Sequence, residues 1–309
     1  MGKSQQILPA AKPPSNIPEA IPPWTLDAEC WLFPFYTTSS QISSNKQQSN
    51  DQTSNSASVL AHKQGIDAGA YHPLEDVSHI TTDVFKGGLG GWILYRYASS
   101  PVGPYDELIY VAGSFQSKDS GTSGLRITNI YVSTHDSVWN GRRNWNIPKH
   151  VAKFEWSHPF RARTTEPQTV KIFHPSLATA TNLPSAVDDQ KPFFSATFTQ
   201  SKYLPYLPIN TKYFPSLPLI QPPLQAGLYK RNSREAQVET ESLPNDLYRS
   251  TSPTFKGKFT LAYCQYAPGQ STYGDGVSFP KATNTLGYGC YMPNIEVGFP
   301  WSVEYPSTK

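Results

Sequence analysis

The chain has 309 residues, of which 16% are charged and 13% aromatic, with 29 prolines and a formal net charge of +3. This length favours one large domain with insertions over two domains. The small net charge, without a basic block that recurs along one face, excludes nucleic acid as an expected partner. Few charges with many aromatic residues and prolines are typical of a chain of strands and turns around an aromatic core.

Three sequence features predict the compartment. No apolar run approaches the roughly 18 residues of a membrane-spanning helix, and the amino-terminal segment lacks the continuous apolar stretch of a secretory signal. Cys30, Cys264 and Cys290 are odd in number and widely spaced, without the pairing of a metal site. We therefore expect a soluble, cytoplasmic protein that has no membrane partner.

The first part of the chain is predicted to form an arm, a strand and an insertion. Residues 1–22 form a polar, proline-rich arm, whereas "PPWTLDAECWLFPFY" (22–36) is typical of a buried aromatic strand. Residues 37–58 are mostly Ser, Thr, Asn, Gln and Asp, which cannot bury enough apolar surface to offset the entropy of ordering. We predict that this insertion is disordered and interrupts a single domain over 23–305.

The rest of the chain alternates between strands and turns. The segments 125–132, 194–198 and 255–263 have the apolar-polar alternation of strands, and a short helix is expected within 59–85. Prolines in 203–224 forbid a regular helix or central strand, so this segment is predicted to be long, ordered and exposed. The predicted fold class is β-dominated α+β, an antiparallel closed or near-closed β-barrel with a few short helices.

One lysine, Lys149 in "NWNIPKHVAKF" (144–154), has an unusual local setting. Asn146 is a candidate helix N-cap and Pro148 is tolerated in a first turn, which would place Lys149 at the positive end of a helix dipole. Lys153 would follow on the same helical face. Both effects disfavour the ammonium form and favour an amine that forms an imine with a ketone or aldehyde. The alternative is an ordinary exposed lysine.

Two segments, "GPYDELIYV" (103–111) and "NGRRNWNIPKHVAKF" (140–154), together resemble the acetoacetate decarboxylase-like superfamily. Its members have a Gly-x-Tyr-x-Glu strand, followed by a Gly-Arg-rich turn that leads into Pro-Lys. The strand that begins with "PPWTL" (22–26) is similar to the family's amino-terminal strand. The resemblance extends over about residues 20–36 and 90–155. It implies a β-rich fold and imine chemistry at the lysine.

When the family's functional residues are carried over position by position, some are present in this chain and others are replaced. The Schiff-base lysine falls on Lys149 and the acid-base glutamate on Glu107, which are the catalytic candidates. The second lysine of the decarboxylases is replaced by His150. The arginine that binds the substrate carboxylate meets Glu29, and the second glutamate meets Trp92. The resemblance therefore keeps the imine-forming half of the site and loses the half that recognises an acid.

These departures bear on the substrate. A buried Glu29 would repel a keto acid, unless Arg96 or Arg126 points inward and replaces the missing arginine. Without such a replacement, the chain is similar to the superfamily's non-decarboxylating members, which carry out aldol-type condensation, dehydration or cyclisation on carbonyl substrates.

The other candidates have structural alternatives. Glu107 and Asp106 alternate on one strand, so only one of them can face the interior. We predict that Glu107 does so, with an ion pair to Arg142 or Arg143 as its structural alternative. His150 is expected to be a supporting or core histidine rather than the general base.

Two further residues, Tyr105 and Arg126, are candidates to line the site beside His150, Trp92, Arg96 and Glu29. The histidines at 62, 72, 79 and 174 show no ligand spacing, so we predict neither a metal nor a cofactor.

Three functions remain open from the sequence. The first is a lyase or cyclase that uses a Lys149 imine on a hydrophobic carbonyl or polyketide-like small molecule, since the aromatic residues around "WILYRY" (92–97) favour an apolar pocket. The second is a β-keto acid decarboxylase that uses the same imine. The third is a non-catalytic barrel that binds a small molecule. A homo-oligomer is expected, because the family tends to assemble into oligomers.

Overall fold

One extended β-sheet organises the protein. The structure, a computed structural model, describes residues 16–47, 57–73, 75, 77, 80, 82–117, 121–162, 166–175, 188–224, 247–281 and 287–306. In this part of the chain 14 strands belong to a single sheet. They are β1 (Trp24–Thr37), β2 (Val84–Ser99), β3 (Tyr105–Gln116), β4 (Ser123–Val132), β5 (Lys149–Val151), β6 (Lys153–Trp156), β7 (Gln168–Phe173), β8 (Phe194–Gln200), β9 (Leu207–Asn210), β10 (Leu219–Gln221), β11 (Leu247–Thr251), β12 (Thr254–Tyr266), β13 (Tyr288–Phe299) and β14 (Val303–Pro306).

The sheet is long and open. Its strand order is β14-β11-β10-β4-β3-β2-β1-β13-β12-β8-β7-β6, while β5 pairs with β4 and β9 with β12. Over the described residues this order does not return to its first strand, and β4 pairs in parallel with β5 and β10. The β-dominated class with few helices is confirmed, whereas the closed or near-closed antiparallel barrel is supported only in part, because the sheet does not close. The chain passes from β5, beside β4, to β6, beside β7, through Ala152 alone. That short stretch brings distant parts of the sheet together next to Lys149.

The helices are few and short, as expected. They are α1 (Ser39–Gln47), α2 (Ala57–Gln64), α3 (His135–Trp145) and a 3-10 turn (Thr211–Tyr213). None of these helices is long and apolar enough to cross a membrane.

The insertion at 37–58 was predicted to be disordered, and that prediction is wrong for residues 37–47, which contain the end of β1 and helix α1, and for 57–58, which begin α2. Residues 48–56 lie outside the described residues. The polar side chains that argued for disorder instead satisfy hydrogen bonds. Gln41 Oε1 accepts from the backbone amide of Thr38 at 2.8 Å, and Asn45 Nδ2 donates to Asp67 Oδ1 at 3.1 Å.

The described end of the amino-terminal arm is attached to α3. Ile17 is buried, and the backbone amide of Ala20 donates to Asn140 Oδ1 at 2.8 Å. Asn144 Nδ2 donates in return to the carbonyl of Ala20 at 2.8 Å. Two asparagines of α3 therefore fix this part of the chain before it enters β1.

The central strands separate two faces, because successive strand residues point in opposite directions. On what we call the aromatic face, Trp31, Phe33, Trp92, Leu94 and Leu108 pack in one buried cluster, which also includes Phe194 and Phe198 of β8. On what we call the cavity face, a second cluster joins β1, β2, β3 and α3; its members include Leu26, Ala28, Cys30, Tyr95, Tyr97, Tyr105, Ile109 and Trp145. Each residue of these strands is thereby assigned to one of two environments.

A buried ion-pair cluster lies beside β5 on the side of the aromatic face. Arg142 Nη1 and Nη2 donate to the two carboxylate oxygens of Glu75, each at 3.0 Å, and His150 Nε2 lies 2.8 Å from Glu75 Oε2. Arg142 also donates to the carbonyl of Lys149 at 3.4 Å. Burial alone would raise the pKa of Glu75, but Arg142 and His150 outweigh it and hold that pKa well below its usual range. This cluster therefore fixes the backbone at which α3 is joined to β5.

We predict that Trp92→Ala lowers the free energy of unfolding by about 3–5 kcal/mol, since the indole is fully buried among the rings of Phe33, Phe194 and Phe198. Urea unfolding measures this loss. Tyr288→Ala is the control, because Tyr288 is 55% exposed. Equal losses in the two variants would contradict the assignment of Trp92 to the core.

We also predict an acid-sensitive contribution to stability from Glu75. Because its folded pKa is depressed, the contribution is complete above the unfolded pKa of about 4.3 and is lost as the pH falls below that value. Glu75→Gln should lower the free energy of unfolding at neutral pH by about 3–5 kcal/mol, because it leaves Arg142 buried without its carboxylate.

Urea unfolding of the wild type and of Glu75→Gln at neutral pH and at pH 3 measures this difference, which should narrow in acid. The control is Glu155→Gln, which breaks the exposed pair with Lys153 and should change stability by less than about 1 kcal/mol. A difference that stays constant with pH would show that the depressed pKa contributes nothing.

Candidate functional site

Helix α3 and the turn after it position Lys149. The helix begins after Thr134, whose side chain accepts from the backbone amide of Ser137, and ends at Asn146, which has a left-handed backbone with φ of 55°. Asn146 is therefore a C-cap rather than the predicted N-cap, and its side chain donates to the carbonyl of Leu247 at 2.9 Å. The prediction that Lys149 lies in the first turn of a helix is wrong. Lys149 is instead the first residue of β5.

Lys149 is buried, and two oxygens bind its amino group. Its exposed fraction is 4%, and Nζ donates to Glu107 Oε2 at 2.7 Å and to Ser137 Oγ at 2.9 Å. The lysine stem crosses α3 at Gly141, where a Cβ atom would approach Lys149 Cδ to 2.6 Å. Lys153, the expected cationic neighbour, is exposed and pairs with Glu155 at 2.7 Å. A carboxylate and a hydroxyl therefore surround the amine in place of a helix dipole and a second ammonium.

Glu107 lies opposite the lysine on β3 and faces the cavity side of the sheet. Its exposed fraction is 3%, and it accepts hydrogen bonds from Lys149 and, at 3.0 Å, from the hydroxyl of Tyr97. The structural alternative is wrong, since Arg142 pairs with Glu75 and Arg143 pairs with Glu19. The inward orientation of Glu107 leaves Asp106 on the opposite face of the strand.

Tyrosines surround this ion pair. The ring of Tyr105 lies 5.2 Å from Lys149 Nζ, and Tyr97 contacts Glu107 directly. Burial raises the pKa of both phenols well above the ordinary range, and the negative charge of Glu107 adds to the effect. Both tyrosines are therefore neutral hydroxyl donors near neutral pH. Tyr105 is the predicted lining residue that the structure does place beside Lys149.

A large apolar cavity leads to this group. Its volume is about 610 Å³, and Glu107 and Tyr97 lie in its wall. A second, small pocket shares Glu107, Tyr97 and Ile109 with the cavity and has Lys149 and Tyr105 in its own wall. Most of the other lining side chains are apolar, and they include Leu32, Ile93, Val111, Leu125, Ile127, Phe214, Leu217, Phe255 and Phe299. The lysine and its carboxylate thus lie next to an apolar chamber.

His150 lies away from this chamber. Because it follows Lys149 on β5, its side chain points to the other face, where its ring stacks on His72 at 3.5 Å and bonds to Glu75. The prediction that His150 contacts substrate is wrong, and its supporting role concerns the backbone of β5.

Trp92 lies on the aromatic face as well. Its ring is fully buried and lies 4.5 Å from that of Phe33. The prediction of a substrate contact is wrong here too, because the position that meets the family's second glutamate belongs to the core.

Glu29 and Arg96 lie opposite each other on β1 and β2 and share the aromatic face. Arg96 Nη1 lies 3.7 Å from Glu29 Oε2, and its guanidinium stacks over Trp156 at 4.5 Å. The remaining oxygen of Glu29 accepts from the hydroxyl of Tyr291 at 2.9 Å. Neither residue faces Lys149, so the predicted contacts are wrong, and Glu29 is in no position to repel an acid there.

Arg126 is also excluded from the chamber. Its Nη2 lies 2.7 Å from Asp83 Oδ2, and its guanidinium stacks on Phe115 at 4.3 Å. Arg126 therefore balances a buried aspartate, and the prediction that it lines the site is wrong.

Sequence reasoning missed Ser137 and Tyr97. Ser137 lies three residues after the N-cap Thr134, so recognising the start of α3 at "THDS" (134–137) would have placed it on the helix. Tyr97 pairs with Tyr105 across β2 and β3, next to the pairing of Tyr95 with Glu107. The alternation of "YRY" (95–97) indicated that Tyr95 and Tyr97 share one face of β2, but it did not show whether that face lines the cavity.

Sequence comparison gives a partial match to two plant proteins. The chain is 35% identical over 72 residues to Protein NEOXANTHIN-DEFICIENT 1 of Oryza sativa subsp. japonica, which covers 23% of each chain. The protein of the same name from Arabidopsis thaliana is 32% identical over 72 residues, or 25% of its length. The match therefore spans about a quarter of each relative. No family model matches the chain.

Structural comparison covers nearly the whole chain. Acetoacetate decarboxylase from Legionella pneumophila superimposes with a TM-score of 0.50 at 11% identity, over 97% of this chain and 93% of that one. An acetoacetate decarboxylase-like enzyme from Sphingomonas wittichii superimposes with a TM-score of 0.52 at 10% identity, over 97% and 99%. The resemblance found in the motifs is confirmed in the fold, and the chain has, in divergent form, the fold of the acetoacetate decarboxylase-like enzymes.

Proposed function

We propose that the protein is a Schiff-base-forming lyase or cyclase that acts on an apolar carbonyl compound, with Lys149 as the nucleophile and Glu107 as the acid-base group. One observation carries this proposal. A buried lysine, with a carboxylate oxygen 2.7 Å from its Nζ, lines a small pocket that shares Glu107 and Tyr97 with an apolar cavity of about 610 Å³. The fold shared with acetoacetate decarboxylase-like enzymes supports it, since the motif resemblance carries the family's Schiff-base lysine and acid-base glutamate over to these two residues.

A purely structural role explains this arrangement poorly. Removing an ammonium and a carboxylate from water costs several kcal/mol for each ion, and a well-packed apolar pair is often equally stable or more so. The Lys149–Glu107 pair also borders empty space. This favours a chemical role over a structural one, and a pair of this kind is unnecessary in a barrel that only binds an apolar molecule.

The first step is imine formation. Glu107 takes a proton from the ammonium of Lys149, and the free electron pair on Nζ attacks the carbonyl carbon of the substrate. A proton then moves from nitrogen to the new alkoxide oxygen. The proton held by Glu107 lets that oxygen leave as water, and a protonated imine remains. Ser137 accepts a hydrogen bond from Nζ and holds it in place during these transfers.

The second step uses the imine as an electron sink. Glu107, again a carboxylate, removes a proton from the carbon next to the imine, and the electron pair of the C–H bond forms an enamine. In a condensation or cyclisation, the enamine carbon attacks a second carbonyl and the proton now held by Glu107 moves to the new alkoxide; in a dehydration, that proton goes to a β-hydroxyl, which leaves as water. In either case the nitrogen electron pair restores the protonated imine. Tyr97 donates to Glu107 and steadies its charge at each stage. Water finally hydrolyses the imine and frees Lys149.

The lining of the cavity favours a neutral substrate over an acidic one. No arginine occurs among the described residues that line it, and Lys212, its cation, is exposed. Arg96 and Arg126 pair with carboxylates elsewhere. A β-keto acid would therefore bring its carboxylate next to Glu107 without a second buried cation besides Lys149, which already pairs with Glu107, and this disfavours the decarboxylase. A hydrophobic or polyketide-like carbonyl compound fits the apolar wall. The homo-oligomer and the cytoplasmic location stay predictions from the sequence.

The imine mechanism predicts that borohydride traps an adduct on Lys149. Incubation with a panel of apolar ketones, apolar aldehydes and β-keto acids, followed by reduction and peptide mass spectrometry, should give the highest yield with an apolar carbonyl compound. Lys149→Met should abolish the adduct, because the amine is lost while the length of the stem is kept.

Lys153→Met is the matched control, since Lys153 is exposed and close in sequence, and it should leave the yield unchanged. The double variant Lys149→Met/Glu107→Gln removes both charges together. It tests whether the adduct is lost in a protein that has no uncompensated buried carboxylate. Equal trapping in wild type and Lys149→Met would eliminate the proposed chemistry.

We also predict that Glu107→Gln slows adduct formation by about 10²–10⁴-fold, because the amide cannot take the proton from Lys149. The observed rate of trapping at saturating ketone measures this. Asp106→Asn is the control, since Asp106 lies on the other face of β3 and accepts from Trp156 at 3.1 Å. If the two variants trap the ketone equally fast, Glu107 is not the acid-base group.

A further inference from the structure

The mouth of the cavity is formed by exposed apolar side chains. Leu89, Phe214 and Leu217 all lie in the cavity wall, and yet they are 49%, 63% and 61% exposed. A residue that is both lining and exposed marks the edge of the opening. The large side chains of the rim are therefore apolar, and the exposed polar residues Lys212, Ser216 and Thr254 lie among them.

The apolar surface continues along the proline-rich segment beside the mouth. Its exposed members are Tyr203, Leu204, Tyr206, Leu207 and Tyr213. Prolines at 205, 208 and 215 restrict this backbone, and β9 pairs with β12. These side chains are thus presented outward by an ordered backbone. Exposed apolar patches of this kind mark sites that contact proteins or membranes.

The charges around this patch are mostly positive. Residues 200–217 contain Lys202 and Lys212 and no acidic residue. The neighbouring strand β12 contributes exposed Lys256 and Lys258, and it contains no acidic residue either. Glu296 lies opposite Lys256 on β13. The patch is therefore complementary to a surface that is apolar inside and negatively charged at its border.

We infer that this surface docks the protein on a membrane that contains anionic lipid, and that apolar molecules enter the cavity from the bilayer. Tyrosines and lysines beside apolar side chains are the residues that favour the boundary between headgroups and acyl chains. The sequence predicts no membrane partner because no segment can span the bilayer, but docking at its surface requires no such segment.

A second copy of the chain fits the patch less well. A two-fold interface would place the same patch on both sides, so Lys212 and its neighbours would face their own copies, and the cavity mouth would be sealed. An anionic bilayer offers the opposite charge and leaves the mouth open to an apolar phase. The inference rests on the cavity and its rim, and it does not depend on chemistry at Lys149.

Flotation of the full chain with lipid vesicles tests this inference. We expect the wild type to float with vesicles of phosphatidylcholine mixed with phosphatidylserine, more weakly with phosphatidylcholine alone, and less at high salt. The double variant Phe214→Ser/Leu217→Ser should lose binding. Lys256→Gln and Lys258→Gln should each weaken it about fivefold, the equivalent of one lysine near an anionic surface.

Ile21→Ser is the matched control, because Ile21 is 54% exposed and lies outside the cavity wall; it should bind as the wild type does. Lys149→Met/Glu107→Gln, which removes both charges of the buried pair, should lose the adduct but still float with the vesicles, and this separates the inference from the proposed imine. Sedimentation of the same variants measures their oligomeric mass and so tests whether a second copy of the chain covers the patch. An absence of flotation at low salt overturns the inference, and so does a change of oligomeric mass in the Phe214→Ser/Leu217→Ser variant, which would assign the patch to contacts between copies.

Discussion

The buried contact between Lys149 and Glu107 is the interaction on which the rest of the site depends. It joins the first residue of β5 to the first part of β3, and the two residues are 42 positions apart in the sequence. A charge pair in this environment persists only where geometry and further hydrogen bonds offset its desolvation. Ser137 and Tyr97 supply those bonds, and Arg142 holds the backbone of Lys149 from the opposite side. The elements around the pair hold the amino group of Lys149 and the carboxylate of Glu107 together and shielded from solvent.

Part of this site was predictable from the sequence. The motif resemblance selected Lys149 and Glu107, which the structure brings into contact, and the alternation of β3 separated Glu107 from Asp106. The face toward which β2 turns its side chains was not predictable, because alternation groups residues 92, 94 and 96 together without saying which group lines the cavity. Register decides this: Tyr95 lies opposite Glu107 and Arg96 opposite Asp106. Once Glu107 lies on the cavity face, Arg96 must lie on the aromatic face. The register between β2 and β3 that decides this cannot be read from local sequence patterns.

The helix before Lys149 shows a second limit. Asparagine is common at both ends of helices, since its side chain caps the first turn and its backbone tolerates the left-handed conformation that follows the last turn. The sequence alone therefore did not show which end Asn146 marks. The choice depends on the helix that precedes it, and the glycine and polar residues of "HDSVWNGRRNW" (135–145) gave little apolar periodicity. The fold itself was easier to predict, because alternating strands determine the β-rich class, whereas closure of the sheet depends on how its edge strands meet.

The most direct measurement is a crystal structure of the wild-type protein after borohydride reduction with the best-trapped apolar ketone. Imine chemistry predicts continuous electron density from Lys149 Nζ past Glu107 into the cavity, with the ketone's apolar part against Ile109 and Ile127. Density on other lysines, or a ketone bound in the cavity without a bond to Nζ, would contradict it. In that case the chamber would be a binding site, and the lysine would serve only as the partner of its carboxylate.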